Sequence, residues 1–364
     1  MTSVRSRSLI VLVAMVALVA CKKEGAGDAS DLPAELRPHP AQGDPSKLAV
    51  PALFASIPAD TPYLLASLEG PPTELWARMK PAFQPLIDKA AATWQAKRSQ
   101  SDGDGPDKLL DAVLSEMDGK WSQAGIESLG FSAQPRFAIY GLGLQPVVVR
   151  MAVKDGKAVR ATIERIAAKA GKQLPPALAQ GGRSYWQHAD GDGTTIVISI
   201  ADNELIAAVG KADDVAAKLG LILGVDKPAR NMADGALVKQ LMGRHGFGGQ
   251  LIGFADTRQL AGKAVEAAGA PPSPACTGEL DRLSAKLPHL VFGYSELSAS
   301  RLAGGFVVEM APELVTEMRA LKTEIPGLGA ALSGHPLFAL AAAIDLPRAQ
   351  QLGAAAAGNL QQLG

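Results

Sequence analysis

Two cysteines and five histidines are the residues best suited to covalent or acid–base chemistry in this 364-residue chain. Cys21 ends an unbroken apolar run, Leu9 to Ala20, and Lys22 and Lys23 follow it at once. Cys276 stands in GAPPSPACTGEL, a proline-rich stretch that reads as an exposed loop. His39, His188, His245, His289 and His335 never fall within i, i+4 of one another, so no local metal pair exists. His188 beside Asp190 is the nearest approach to an acid–base pair, and its place between two strand-like runs predicts a solvated turn residue. The acidic loops Asp102–Asp107 (DGDGPD) and Asp190–Thr195 (DGDGTT) carry Ca²⁺-type oxygens. An EF-hand loop needs glutamate at its twelfth position, where these two have Val113 and Ala201, so both read as plain turns. GxSxG, HExxH, Walker A, CxxC and SxxK motifs are absent. Gly141-Leu142-Gly143 lacks the third glycine of a dinucleotide fingerprint and sits between two strands that suit a hairpin. The sequence therefore predicts no catalytic residue, no metal site and no cofactor.

The elements that would position these residues follow from periodicity. Pro58-Ala59-Asp60-Thr61-Pro62 is turn chemistry feeding an apolar strand, Tyr63 to Leu68. Helical runs follow from Thr73, over about 82–97, and from Asp107 to Met117. Arg136–Tyr140 and Val147–Val153 read as a strand pair, and Asp155 caps a helix with Val159, Ile163 and Ile166 on one face. Ser184–Gln187, Thr195–Ile200 and Leu205–Val209 are further strands joined by hairpin turns. Helices are expected from Asp213 or Asp214 to near Gly224 and over Ala236–His245. The second half repeats the grammar: a strand at Gln250–Ala255, helices at Asp256–Ala267 and Gly278–Lys286, and strands at Leu290–Tyr294 and Leu302–Met310. A helix from Pro312, a final strand at Phe338–Ile344 and a final helix from Leu346 complete it.

The segments 136–166 and 289–321 share one order: strand, turn, strand, helix. That points to two related halves, 49–232 and 233–364. The fold class expected is α+β, each half an antiparallel or mixed sheet with helices packed mainly on one face. The last residues, Ala354–Gly364, end in an apolar helix-like stretch, which leaves open a chain truncated at its C-terminus.

The N-terminus reads as an export signal. Arg5 and Arg7 precede the apolar run, which as a helix spans roughly 18 Å against a hydrocarbon core of roughly 30 Å. Leu18 at −3 is too large for the general peptidase, which prefers an A-x-A pattern. Leu18-Val19-Ala20-Cys21 instead resembles the lipobox of bacterial lipoproteins. The resemblance implies cleavage between Ala20 and Cys21 and removal of the signal peptide, residues 1–20. It further implies a thioether-linked diacylglycerol on Cys21, with a third, palmitate-class chain on its amine. Such an anchor needs no spanning helix, because two or more acyl chains hold stably. The resemblance to enteric lipoproteins also implies that Lys22, not being aspartate, permits transfer to the outer membrane, facing the periplasm. The alternative is a plain secretory signal with an incidental Cys21. Residues 22–48 carry no apolar period and are rich in Gly, Ala, Pro, Asp and Ser, so 21–48 reads as a flexible tether. The run before the first strand and the later LIGFAD step from strand to helix resemble an uncharacterised family of bacterial exported proteins. That resemblance implies no activity.

Composition narrows the function classes. Basic and acidic residues number 36 each, and losing Arg5 and Arg7 with the signal leaves the acids two in excess. No cationic surplus drives phosphate-backbone binding, and aromatics at 5% give few stacking platforms, so nucleic acid is not an expected partner. With Cys21 acylated, Cys276 has no internal partner and is an unpaired thiol: inert, intermolecular, or deprived of a missing cysteine. The expected function is a membrane-anchored envelope lipoprotein that binds or scaffolds an envelope component, without catalysis. The alternatives are a carrier of lipid or another apolar ligand, and an enzyme whose site is dispersed along the chain.

Overall fold

A computed structural model describes residues 48, 50–75, 81, 85, 106–120, 122–201, 203–234, 236–267, 273–298 and 301–319. Their strands form one open, wholly antiparallel ten-stranded sheet in the order β10-β9-β8-β1-β2-β3-β7-β6-β5-β4. The expected α+β class is what the chain adopts. The strands are β1 (Tyr63–Ser67), β2 (Phe137–Gly141), β3 (Val147–Ala152), β4 (Leu178–Gln180) and β5 (Arg183–Ala189). They continue as β6 (Thr194–Ile200), β7 (Glu204–Lys211), β8 (Ile252–Asp256), β9 (His289–Leu297) and β10 (Leu302–Val308). The helices that matter below are α1 (Pro106–Met117), α2 (Gln123–Ser128), α3 (Gly156–Lys169), α4 (Ala212–Ala217) and α5 (Leu219–Leu223). After them come α6 (Leu237–His245), α7 (Thr257–Ala267), α8 (Pro274–Lys286) and α9 (Pro312–Arg319). Among the described residues no helix is long and apolar enough to cross a membrane.

The strand, turn, strand, helix units at 136–166 and 289–321 both belong to this one sheet. β1 pairs with β8, placing Leu65 opposite Gly253. Leu65 pairs with Ile139 on β2 as Gly253 pairs with Phe292 on β9. Ile139 in turn pairs with Val149 on β3 as Phe292 pairs with Phe306 on β10. A helix follows each hairpin: α3, and α9. The β2–β3 hairpin thus flanks β1 on one side of the β1–β8 pair, and the β9–β10 hairpin flanks β8 on the other. The meander β4–β7 returns to place β7 against β3.

Alternation along the strands divides the sheet into two faces. Leu64, Ala66, Tyr140, Val148, Val197, Ile206, Phe254 and Val291 lie in the larger core. It is covered by Phe54 of a 3-10 turn (Ala52–Ser56), by Ile222 and Leu223 of α5, and by Val238, Leu241 and Met242 of α6. On the other face α3 buries Val159 against Val153, Trp186 and Ile200, with Ile163 beside it. Asp155 caps α3 as the sequence predicts, accepting from the backbone N–H of Lys157 and Ala158.

Arg150 lies where alternation puts an apolar residue, in the larger core, with no exposed surface. Its guanidinium donates to the Tyr140 hydroxyl at 3.0 Å, to Glu204 at 2.8 Å, and to the carbonyls of Leu221 and Ile222 at 3.1 and 2.7 Å. The last two are carbonyls at the C-terminal end of α5, where the negative end of its dipole gathers, and that of Leu221 also accepts from the N–H of Gly224 at 3.1 Å. Gly224 follows with φ 71°, the left-handed close of the helix. One buried cation thus fastens α5 to β3. A second ion network ties α1 to α3: Glu116, 3% exposed, accepts from Lys120, Arg165 and Lys169. The hydrogen bond from Lys120, then those from Lys169 and Arg165, hold its pKa down to about 2.

The proline-rich loop ends earlier than the sequence implies. Helix α8 begins at Pro274, so the backbone of Cys276 lies in its first turn. Proline at a helix start is favourable because its missing N–H is one of the unsatisfied donors there. α2, β4 and the 3-10 turn are short elements that periodicity did not single out.

Candidate functional site

Five segments converge on a cleft of about 800 Å³. The turn Pro58–Thr61 forms one wall and the end of β2, Gly141 to Gly143, another. Lys218 and Leu221 come from the α4–α5 junction, and Pro228, Ala229 and Arg230 from the loop after it. Gln259, Lys263 and Glu266 complete the lining. Their i, i+4, i+7 spacing puts them on one face of α7.

Backbone pairing fixes this geometry. The N–H of Ala59 donates to the carbonyl of Arg230, and that of Met232 to the carbonyl of Ile57, so the two loops lie side by side. The N–H of Asp256 donates to the carbonyl of Pro62, which sets the start of α7 beside the same turn. Asp256 also caps α7, accepting from the N–H of Gln259. On the opposite wall Lys218 donates to the carbonyls of Leu142 and Gln145, the latter at 3.0 Å. The Tyr63 hydroxyl reaches the carbonyl of Leu144 at 3.3 Å. Gly141 must be glycine here, because a Cβ would lie 2.5 Å from the Tyr63 ring and 2.4 Å from the carbonyl oxygen of Gly143.

The charges of the lining are unevenly satisfied. Lys263 pairs with Glu266 at 3.0 Å. Among the described residues Lys218 touches only neutral carbonyl oxygens, so its charge is held in place without being neutralised there. Asp60 and Arg230 have no ion-pair partner among the described residues. Thr61 is 3% exposed, and its hydroxyl has no hydrogen-bond partner among the described residues.

A second polar cluster gathers around Glu309 beside β9 and α6. Glu309, just after β10, accepts from His245 at 2.8 Å and Arg244 at 2.6 Å on one oxygen, and from His289 at 2.7 Å on the other. His289 also faces Asp256 across 3.9 Å. Burial alone would raise the pKa of Glu309; hydrogen bonds from His245, His289 and Arg244 outweigh it and hold it below the usual carboxylate range. The cluster joins α6 to the strands beneath. Among the described residues no group of three His, Cys, Asp or Glu is arranged to hold a metal ion.

The structure sorts the sequence candidates. His245 and His289, distant in sequence, come together through Glu309. His188 and Asp190 pair at 3.2 Å and are both well exposed, as befits a turn. Asp190–Thr195 is a β5–β6 turn, closed by backbone bonds from Asp190 to Thr194 and from Gly193 to Asp190. Asp192 accepts from the N–H of Thr194. Asp102–Gly105, His39, His335, Ala20, Cys21, residues 21–47 of the tether, nearly all of the helix expected over 82–97, the strand expected at Phe338–Ile344 and the helix expected from Leu346 lie outside the described residues; Leu48, expected in the tether, packs against the larger core instead. In the sequence the cleft residues read as a turn at Pro58–Pro62, a hairpin end at Gly141–Gly143, and helix surface at Lys218, Leu221, Gln259, Lys263 and Glu266. Their one visible signal was the concentration of Pro, Gly and Asp in two loops that the topology brings together. No family model, no curated protein and no solved structure matches the chain.

Proposed function

We propose that this protein is an exported lipoprotein, anchored to the envelope through acylated Cys21, that binds a small polar ligand in the cleft between the Pro58–Thr61 turn and α7. The cleft carries the reading. Its volume of about 800 Å³ falls within the range of roughly 300–1,000 Å³ typical of small-molecule sites. Its lining supplies charged ends, backbone and small apolar groups on loops held rigidly by the sheet. The carrier of an apolar ligand has less support, because charged groups from five residues line this space. The tether of residues 21–48 gives the body reach from the membrane surface.

Two measurements test the reading. Cys21→Ala in the full chain moves the protein from the membrane fraction to the soluble fraction; unchanged fractionation overturns the anchor. Hydrogen exchange of the full-length protein, with and without a low-molecular-mass extract of the envelope, slows in segments 58–61, 228–230 and 257–267. Unchanged exchange in all three overturns the cleft.

A further inference from the structure

We infer that the cleft selects a small zwitterion, a molecule bearing a carboxylate or phosphate and a primary ammonium; this rests on the cleft being the binding site. Charges that already have partners offer little to a ligand, because engaging them means breaking an existing pair. Lys263 and Glu266 are such a pair. What remains at the cleft is two unneutralised cations, Lys218 and Arg230, and one unneutralised carboxylate, Asp60. The N–H of Ala59 donates to the carbonyl of Arg230, so residues 59 and 230 lie side by side, and Asp60 and Arg230 both line the cleft from these adjoining loops. A simple anion satisfies the cations and is repelled by Asp60, and a simple amine does the reverse. Only a ligand carrying both signs meets all three groups. Arg230 offers the planar fork that suits a carboxylate or phosphate.

Lys218 cannot turn away to neutralise itself elsewhere, because two turn carbonyls already hold its ammonium.

The chemistry fits two sources, an amino acid or the ethanolamine headgroup of a phospholipid. Calorimetric titration of the full-length protein in nonionic detergent distinguishes them. The probes are L-glutamate, glycerophosphoethanolamine, inorganic phosphate and ethanolamine. At least one zwitterion binds at least tenfold more tightly than phosphate and ethanolamine; glutamate alone marks the amino-acid source, and glycerophosphoethanolamine alone the headgroup. Arg230→Gln weakens the zwitterion at least tenfold. Asp60→Asn weakens it too, while leaving phosphate unchanged or tighter, a split that general loosening of the fold does not produce. Phosphate binding as tightly as either zwitterion, with loss in Arg230→Gln, overturns the selectivity and leaves the cleft as a binding site. No heat with any probe, together with unchanged hydrogen exchange at the cleft, overturns both.

Discussion

Replacing Arg150 with methionine keeps much of the apolar stem and removes the guanidinium. Four contacts disappear at once: the Tyr140 hydroxyl, Glu204, and the Leu221 and Ile222 carbonyls. Glu204 keeps its bond from Arg183 at 2.9 Å and is partly exposed, so its charge is not stranded. The Tyr140 hydroxyl and the two carbonyls are left without that donor. Removing one partner of a buried pair costs about 3–5 kcal/mol, and the surviving Arg183 contact places this case at the low end, about 3 kcal/mol. Urea unfolding of the wild type and Arg150→Met measures it as a fall in midpoint at unchanged slope. Tyr140→Phe supplies the control. In the wild type it removes a hydrogen bond and costs about 1 kcal/mol. In the Arg150→Met background it removes an orphaned hydroxyl and is neutral or stabilising. A loss below about 1 kcal/mol for Arg150→Met, or equal Tyr140→Phe costs in both backgrounds, refutes the fastening role. Because Leu221 lines the cleft, the same variant also weakens binding there.

Three further outcomes follow from the geometry. Glu116 has a folded pKa of about 2 against an ordinary 4.5, so its stabilisation is present above the ordinary value and is lost as pH falls through that window. Glu116→Gln therefore lowers stability at neutral pH and flattens the acid limb of a stability–pH curve, and an unchanged limb contradicts the network. Glu309 is depressed in the same direction; Glu309→Gln loosens α6 at neutral pH, read as faster hydrogen exchange over 237–245, with the difference shrinking as pH falls below the carboxylate range. Gly141→Ala forces a Cβ into the Tyr63 ring and costs about 1–3 kcal/mol as overpacking; a thermal midpoint equal to wild type shows that Tyr63 moves freely.

The regular parts of this fold were written in short-range pattern. The strand pair, the cap at Asp155 and the following helix are local features, and the same order of elements recurs at 289–321. The pairing of β1 with β8, Leu65 opposite Gly253, was not legible, because it joins segments nearly two hundred residues apart in sequence. Arg150 shows a different limit. A strand reading VVVRMA gives no sign that its arginine points into the core, since its partners come from β2, β7 and α5. The cleft failed to show for the same reason: Asp60, Lys218, Arg230 and Lys263 are ordinary surface types until the topology sets their loops together. His245 and His289 likewise acquire a shared role only through Glu309.

Native mass spectrometry of the full-length protein, released gently from detergent after purification from its own membranes, tests binding at the cleft most directly. The account predicts a one-to-one small-molecule adduct on the wild-type protein that is lost in Arg230→Gln, with both proteins retaining the same charge-state distribution. An adduct equally abundant in Arg230→Gln, or one lost in Cys21→Ala while Arg230→Gln retains it, contradicts it.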